Sequence, residues 1–131
     1  MSYFDNITTT LLNKNLDGLW LRQQVTMENI ANQSTPNYKS KYVDFEHELQ
    51  NKIALINRNE INKVSEIKNK LNDSRILLGE NDDKTSRLDG NNVDVEKENM
   101  ELAKTQLNYN YTVSELNSYF TRMKMAISGL K

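Results

Sequence analysis

The sequence predicts a mainly α protein in which two long helices, one at each end, flank a small middle excursion of irregular or mixed structure. Three observations carry that expectation: an apolar stripe at helical spacing near the start, a seven-residue apolar repeat near the end, and turn-forming residues gathered between them. They divide the chain into residues 1–35, 36–92 and 93–131.

The first helix is read over residues 10–33. Leu12, Leu16, Leu19, Trp20, Met27, Ile30 and Ala31 recur at three- and four-residue steps, the spacing of one helical face. Gly18 and Gln23 weaken that face, the glycine by about 1 kcal/mol relative to alanine in a helix interior. The helix ends abruptly, because Pro36 disfavours helical geometry at Thr35 and the preceding Asn32, Gln33 and Ser34 extend no apolar face.

The middle carries shorter signals. Phe45, Leu49, Ile53 and Ile56 fit one short helix, and Ile61, Val64, Ile67 and Leu71 fit another. Arg75, Ile76, Leu77 and Leu78, followed by a polar loop, read as a strand edge. The stretch Asp89, Gly90, Asn91, Asn92 is a turn feeding the next element.

The second long helix is read from Asp94 to Gly129. Leu102, Gln106, Tyr109, Val113, Leu116, Phe120, Met123, Ile127 and Leu130 alternate steps of four and three without a slip. Such a repeat drifts around a straight helix unless the helix supercoils with a partner. Asp94, Glu96, Glu98 and Glu101 favour the positive end of the helix dipole at its start, and Arg122, Lys124 and Lys131 sit near its other end.

Composition removes several classes of function. With 17 basic against 18 acidic residues, there is no positive excess to hold a phosphate backbone, so nucleic acid is not an expected partner. Cysteine is absent, which removes disulfides, thiolate nucleophiles and thiolate zinc sites. His47, the single histidine, has Glu46 and Glu48 at one-residue spacing, which points them apart on a helix, so no metal site is expected. No serine or threonine has a base with a third group to orient it, and the glycines are too dispersed for a phosphate loop. The reading is therefore of a non-enzyme without cofactors. The first residues lack a basic start and a hydrophobic stretch, and no apolar run is long enough for direct membrane insertion. With 37% apolar residues and a mean hydropathy of -0.78, a lone chain is marginally stable and partners supply part of the burial.

The segment from Leu21 to Phe45, LRQQVTMENIANQSTPNYKSKYVDF, resembles the N-terminal signature of flagellar rod and hook axial proteins, of the form N-I-A-N-x-x-T-P-x-Y-K. The segment from Leu88 to Asn110, LDGNNVDVEKENMELAKTQLNYN, is similar to the C-terminal signature of one proximal rod member, and its DGNNVD stretch separates it from the sister proximal rod protein. Where that family most often has glycine this chain has Asn37, the next best residue for a turn with positive φ. The family's apolar residue near Asn99 appears one position later as Met100, which interrupts the first layer of the heptad seam.

The resemblance implies that the end helices pair as an antiparallel hairpin coiled coil and that copies stack into a hollow rod. Their assembly interface would be Leu12, Leu16, Leu19, Trp20, Met27 and Ile30 with Leu102, Tyr109, Val113, Leu116, Phe120, Met123, Ile127 and Leu130. Asn29, Asn32, Thr35, Pro36 and Tyr38 form the family turn motif that aims the excursion, and Asp89, Gly90, Asn91, Asn92, Val93 and Asp94 form the second motif. The implied partners are copies of itself, other flagellar rod proteins, the rod-to-ring adaptor, the membrane ring protein and the export apparatus. The implied place is the basal body rod outside the cytoplasmic membrane, reached through type III export without a cleaved signal peptide, where the subunit transmits torque. A soluble helical-hairpin adaptor or scaffold using the same heptad face is the competing reading.

Overall fold

A computed structural model describes residues 2–57, 64–83 and 87–129. The elements run α1 (Ser2–Ala31), β1 (Lys41–Asp44), α2 (Glu46–Asn57), α3 (Val64–Asn72), β2 (Leu77–Glu80) and α4 (Val95–Ser128). The chain is mainly helical, with long helices at both ends, as the sequence predicts.

The boundaries of α4 follow from its capping residues. Asp94 at the N-cap accepts hydrogen bonds from the backbone N–H of Glu96 and of Lys97, and Gly129 at the C-cap donates its N–H to the Met125 carbonyl. α1 begins at Ser2, eight residues before the start expected at residue 10, and ends at Ala31. It closes in a turn in which Asn32 donates its backbone N–H to the Glu28 carbonyl at 3.1 Å and Thr35 donates to the Asn32 carbonyl at 3.0 Å.

α1 and α4 lie against one another and run in opposite directions. Asn15 Nδ2 donates to Thr112 Oγ1 at 2.9 Å and Asn29 Nδ2 donates to Glu98 Oε2 at 3.1 Å, so later positions in α1 meet earlier ones in α4.

The middle excursion is helical and stranded together. α2 and α3 correspond to the two short helices that the sequence suggests; Ile61 lies outside the described residues. β2 starts two residues beyond the expected strand edge and pairs antiparallel with β1, with Tyr42 opposite Gly79 and Val43 opposite Leu78. β1 itself was not expected.

Two apolar clusters anchor the excursion to α1. In the first, Leu19 and Val25 of α1 pack with Val43 and Phe45, joined by Leu21, Ile76 and Tyr109. In the second, Ile67 and Leu71 of α3 meet Ile7 and Leu11 of α1 and Leu49 of α2. Gly18 is what admits the first cluster. A Cβ at that position would stand inside the Phe45 ring, so the helix weakened at Gly18 gains a seat for a buried aromatic. Arg22, one turn on, lies over the same ring with its guanidinium 4.9 Å from the centroid.

Candidate functional site

The two sequence motifs meet and build one clasp. Its first centre is Asn29, in the last turn of α1 and 1% exposed. Its Nδ2 donates to the Lys41 carbonyl at 2.8 Å and to Glu98 Oε2 at 3.1 Å, while its Oδ1 accepts from Lys41 N–H at 2.9 Å and from Tyr38 O–H at 3.1 Å. The carboxamide thereby uses both donors and both lone pairs. It also pairs with the N–H and the C=O of Lys41 as a neighbouring strand would, so α1 closes the free edge of β1. Two turns earlier, Arg22 Nη2 donates to the Val43 carbonyl at 2.8 Å along the same edge. Arg22 also holds Glu46 through two hydrogen bonds of 2.6 Å.

The second centre is Asn91, which is fully buried. Its Nδ2 donates to the carbonyls of Asn32 and Thr35 at 2.8 and 2.9 Å, and its Oδ1 accepts from Val93 N–H at 2.8 Å. A residue far along the chain thus adds a second hydrogen bond to each of two turn carbonyls beyond the end of α1, which also accept from the N–H of Thr35 and of Tyr38. Around it, Asn37 N–H donates to the Asp89 carbonyl at 2.8 Å, Lys39 Nζ donates to the Gly90 carbonyl at 2.8 Å, and Asn92 Oδ1 accepts from Ser40 N–H at 2.7 Å. Asn92 Nδ2 donates to the Asn81 carbonyl at 2.7 Å, which brings the end of β2 into the same network.

Backbone conformation fits the residues found here. Asn37 has φ 59°, so the positive-φ turn expected at that position is formed with asparagine in place of glycine. Gly90 has φ 72°, and a Cβ there would come within 2.7 Å of Asn37 Oδ1. Thr35 Oγ1 donates to Asn32 Oδ1 at 3.1 Å, Pro36 lies exposed in the turn, and Val93 is buried beneath it all.

The clasp sets the electrostatics of its carboxylates. Burial raises the pKa of Glu98 above the ordinary glutamate value, a shift that the Asn29 hydrogen bond only partly offsets. Burial acts the same way on Glu46, but the hydrogen bonds from Arg22 and from backbone N–H groups together with the Arg22 charge outweigh it and hold that carboxyl below its usual range. A backbone N–H bond from Asn91 lowers the pKa of Asp89, aided by Arg87. Tyr38 is raised by burial and by the Glu28 charge. His47 is exposed on α2. Among the described residues no three His, Cys, Asp or Glu side chains gather as a metal site, and no helix is long and apolar enough to cross a membrane.

The helix faces differ from the expected seam in a specific way. Thr105 and Thr112 are the buried residues of α4, at 1% and 5% exposure, and Leu102, Tyr109, Leu116, Tyr119 and Met123 are half-buried beside them. The four-three alternation holds, but every second layer falls one residue earlier, on 105, 112 and 119 rather than on Gln106, Val113 and Phe120. The reason lies in size and bonding. Threonine is small enough to let two helices approach, and Thr112 Oγ1 both donates to its own helix at Asn108 and accepts from Asn15. Val113 is half-buried on the flank, while Phe120 and Ile127 are 49% and 68% exposed.

On α1, Leu19 is buried, Leu12, Leu16 and Ile30 are half-buried, and Trp20 and Met27 are 54% and 49% exposed. Leu130 lies outside the described residues. Met100 points outward at 69% exposure, and the layer it was expected to disturb is occupied by Glu98 on Asn29. Sequence reasoning passed over Val25, Thr26 and Arg22, although Arg22 stands within the N-terminal signature. It also passed over Met100, Leu107, Tyr111 and Met125 as a set; their common side of α4 was the signal available.

No family model matches this chain. Curated proteins do. The chain is 35% identical over 133 residues to the flagellar basal body rod protein FlgB of Bacillus subtilis (strain 168), an alignment that covers 100% of each. It is 32% identical to the protein of the same name from Borrelia hermsii, covering 97% of this chain and 99% of that one. The corresponding protein of Borreliella burgdorferi is 31% identical, with coverage of 86% and 89%.

Proposed function

The chain belongs to the FlgB family of flagellar basal body rod proteins, a structural rather than enzymatic subunit of that rod, and from this premise we propose how its parts serve assembly. The helix pair formed by residues 1–35 and 93–131 is the rod core, supercoiled as an antiparallel hairpin, and residues 36–92 form the excursion that the clasp aims. Val113, Phe120 and Ile127 on the flank of α4, with Leu16, Trp20 and Met27 on α1, meet neighbouring subunits. The assembled rod carries torque from the membrane ring to the distal rod. The other rod proteins, the rod-to-ring adaptor and the ring protein are its neighbours. The subunit reaches its place through the type III export apparatus uncleaved.

The observation that carries this reading is the large apolar surface left open on both long helices of the single chain, from Trp20 and Met27 on α1 to Phe120 and Ile127 on α4. A side chain such as these contributes about 1.5–3 kcal/mol when fully buried, and a repeating assembly gains that at every copy. The experiment is complementation. In a strain lacking its own FlgB, this gene restores swimming and isolated basal bodies contain the protein. A lysine at Val113 together with one at Phe120 abolishes incorporation while far-UV circular dichroism stays helical. Normal rods built from that double variant would refute the interface.

A further inference from the structure

The clasp is built around a chemically labile pair, Asp89 followed by Gly90. Asp17–Gly18 and Asp89–Gly90 are the two Asp–Gly junctions of the chain, which has no Asn–Gly. At such a junction the glycine nitrogen attacks Cγ of the aspartate, water leaves, and a five-membered succinimide closes; glycine permits the attack because it has no Cβ to block the approach. Water then opens the ring at either carbonyl. One product is aspartate again, and the other is isoaspartate, in which the main chain runs through Cβ and Cγ and is longer by one methylene. The sum is an isomerisation: the water lost is regained, nothing is oxidised, and no cofactor takes part.

The clasp demands both residues. Gly90 has φ 72° and no room for a Cβ beside Asn37 Oδ1. Asp89 Oδ1 accepts from Asn91 N–H at 3.1 Å and its Oδ2 accepts from Arg87 Nη2 at 2.9 Å. The closed clasp also restrains the reacting atoms. Gly90 N–H donates to the Arg87 carbonyl at 3.2 Å, the Asp89 carbonyl accepts from Asn37 N–H at 2.8 Å, and the Gly90 carbonyl accepts from Lys39 Nζ at 2.8 Å. Ring closure needs a free Gly90 nitrogen and a rotation of the peptide between those two carbonyls, so these bonds have to open first. The carboxyl must also be protonated for its oxygen to leave as water, and the Asn91 N–H bond, aided by Arg87, keeps it ionised. The Asp89 side chain is still 33% exposed, so water is at hand once the restraint is gone.

We propose that Asp89 is a site of spontaneous isoaspartate formation, open to reaction while the chain is unfolded or unclasped and shielded once the clasp closes. Modification passes through the open clasp, so its rate follows the population of that state. The product is marked by the same geometry. In isoaspartate the carbonyl that accepts from Asn37 becomes a side-chain carboxylate and the main chain lengthens, so the clasp loses its register. Asp17–Gly18 is an internal reference. It lies inside α1, where the glycine nitrogen is tied into the helix and is released only when that helix unfolds.

The test is to age the whole chain at mildly acidic pH, folded and in urea, and to digest it with trypsin. Cleavage after Lys14, Arg22, Arg87 and Lys97 puts the two junctions on separate peptides, 15–22 and 88–97. Isoaspartate in each is measured by enzymatic methylation of its free α-carboxyl and by chromatographic separation of the isomers. In urea both peptides accumulate it, and Asp89→Glu, whose longer side chain cannot close the five-membered ring, removes the signal from 88–97. In the folded chain residue 89 reacts at least about tenfold more slowly than in urea. Asn91→Ala loosens the clasp and restores at least about tenfold of that rate at residue 89 while residue 17 stays unreactive. Lys39→Met, which removes a single hydrogen bond to the Gly90 carbonyl, gives a smaller rise at residue 89 alone, and it decides the matter if a rise at residue 17 shows that Asn91→Ala has unfolded the chain. Equal rates at residue 89 in the folded chain and in urea, a signal that survives Asp89→Glu, or no acceleration of residue 89 ahead of residue 17 in either variant would overturn the proposal.

Discussion

Replacing Gly18 by alanine tests whether the fit of Phe45 against α1 governs stability. Inside an exposed helix that change stabilises by about 1 kcal/mol, because alanine has the higher helix propensity. Here the added methyl would occupy the space of the Phe45 ring, which is 4% exposed and held between α1 and the Arg22 guanidinium. The ring has to move, and overpacking of a well-filled core costs about 1–3 kcal/mol. The cost wins, so Gly18→Ala destabilises by up to about 2 kcal/mol as the difference of those terms. A double-mutant cycle isolates the cause. Phe45→Ala alone costs about 3–5 kcal/mol, and in that background Gly18→Ala changes sign and stabilises by up to about 1 kcal/mol. Urea unfolding followed by circular dichroism gives all four corners. Equal effects of Gly18→Ala in the two backgrounds, or a stabilised single variant, would refute the reasoning.

Other substitutions separate the parts of the clasp and the helix contact. Asn91→Ala removes three hydrogen bonds and leaves the Val93 N–H buried without its acceptor, so a loss of about 2–4 kcal/mol is expected by thermal or urea unfolding, against less than about 0.5 kcal/mol for an exposed control such as Gln33→Ala. Thr105 Oγ1 is buried with no hydrogen-bond partner among the described residues, so Thr105→Val stabilises by about 1 kcal/mol, whereas Thr112→Val costs about 1–2 kcal/mol because its hydroxyl serves two bonds; effects of the same sign would contradict this assignment. Since burial raises the Glu98 pKa, the folded chain holds that proton more tightly than the unfolded one, and the ionised carboxylate opposes folding at neutral pH. Glu98→Gln keeps an acceptor for Asn29 and removes the charge, so it raises the unfolding midpoint at neutral pH and loses that advantage as the pH falls through the Glu98 range. Glu46 has the opposite sign: its lowered pKa contributes stability above the ordinary glutamate range, lost as pH falls through its folded value, and Glu46→Gln flattens that acid limb.

Legibility in the sequence followed the range of the interactions involved. The ends of α4 were readable because Asp94 and Gly129 act on backbone groups within a turn of themselves. The turn at Asn37 was readable because a positive φ selects among few residue types. The short helices of the middle announced themselves by apolar spacing, and Ile67 and Leu71 did pack as that spacing implied. β1 was hidden, since Lys41, Tyr42, Val43 and Asp44 owe their extended form to β2 on one edge and to Asn29 and Arg22 of a distant helix on the other. The inward positions of Thr105 and Thr112 within the single chain were missed because apolarity was the criterion, whereas these threonines face α1 by compactness. The role of Asn91 also escaped periodicity. The motif singled out the residue, but nothing local shows that its amide reaches the end of α1.

The clasp has a mechanical corollary. It fastens the place where the chain departs from α1 to the place where it returns toward α4, through Asn91 onto Asn32 and Thr35 and through Asn92 onto Ser40. The segment between Asp44 and Leu77 therefore hangs from a fixed root, and the packing of its Phe45, Ile67, Leu71 and Ile76 against α1 ties it down a second time.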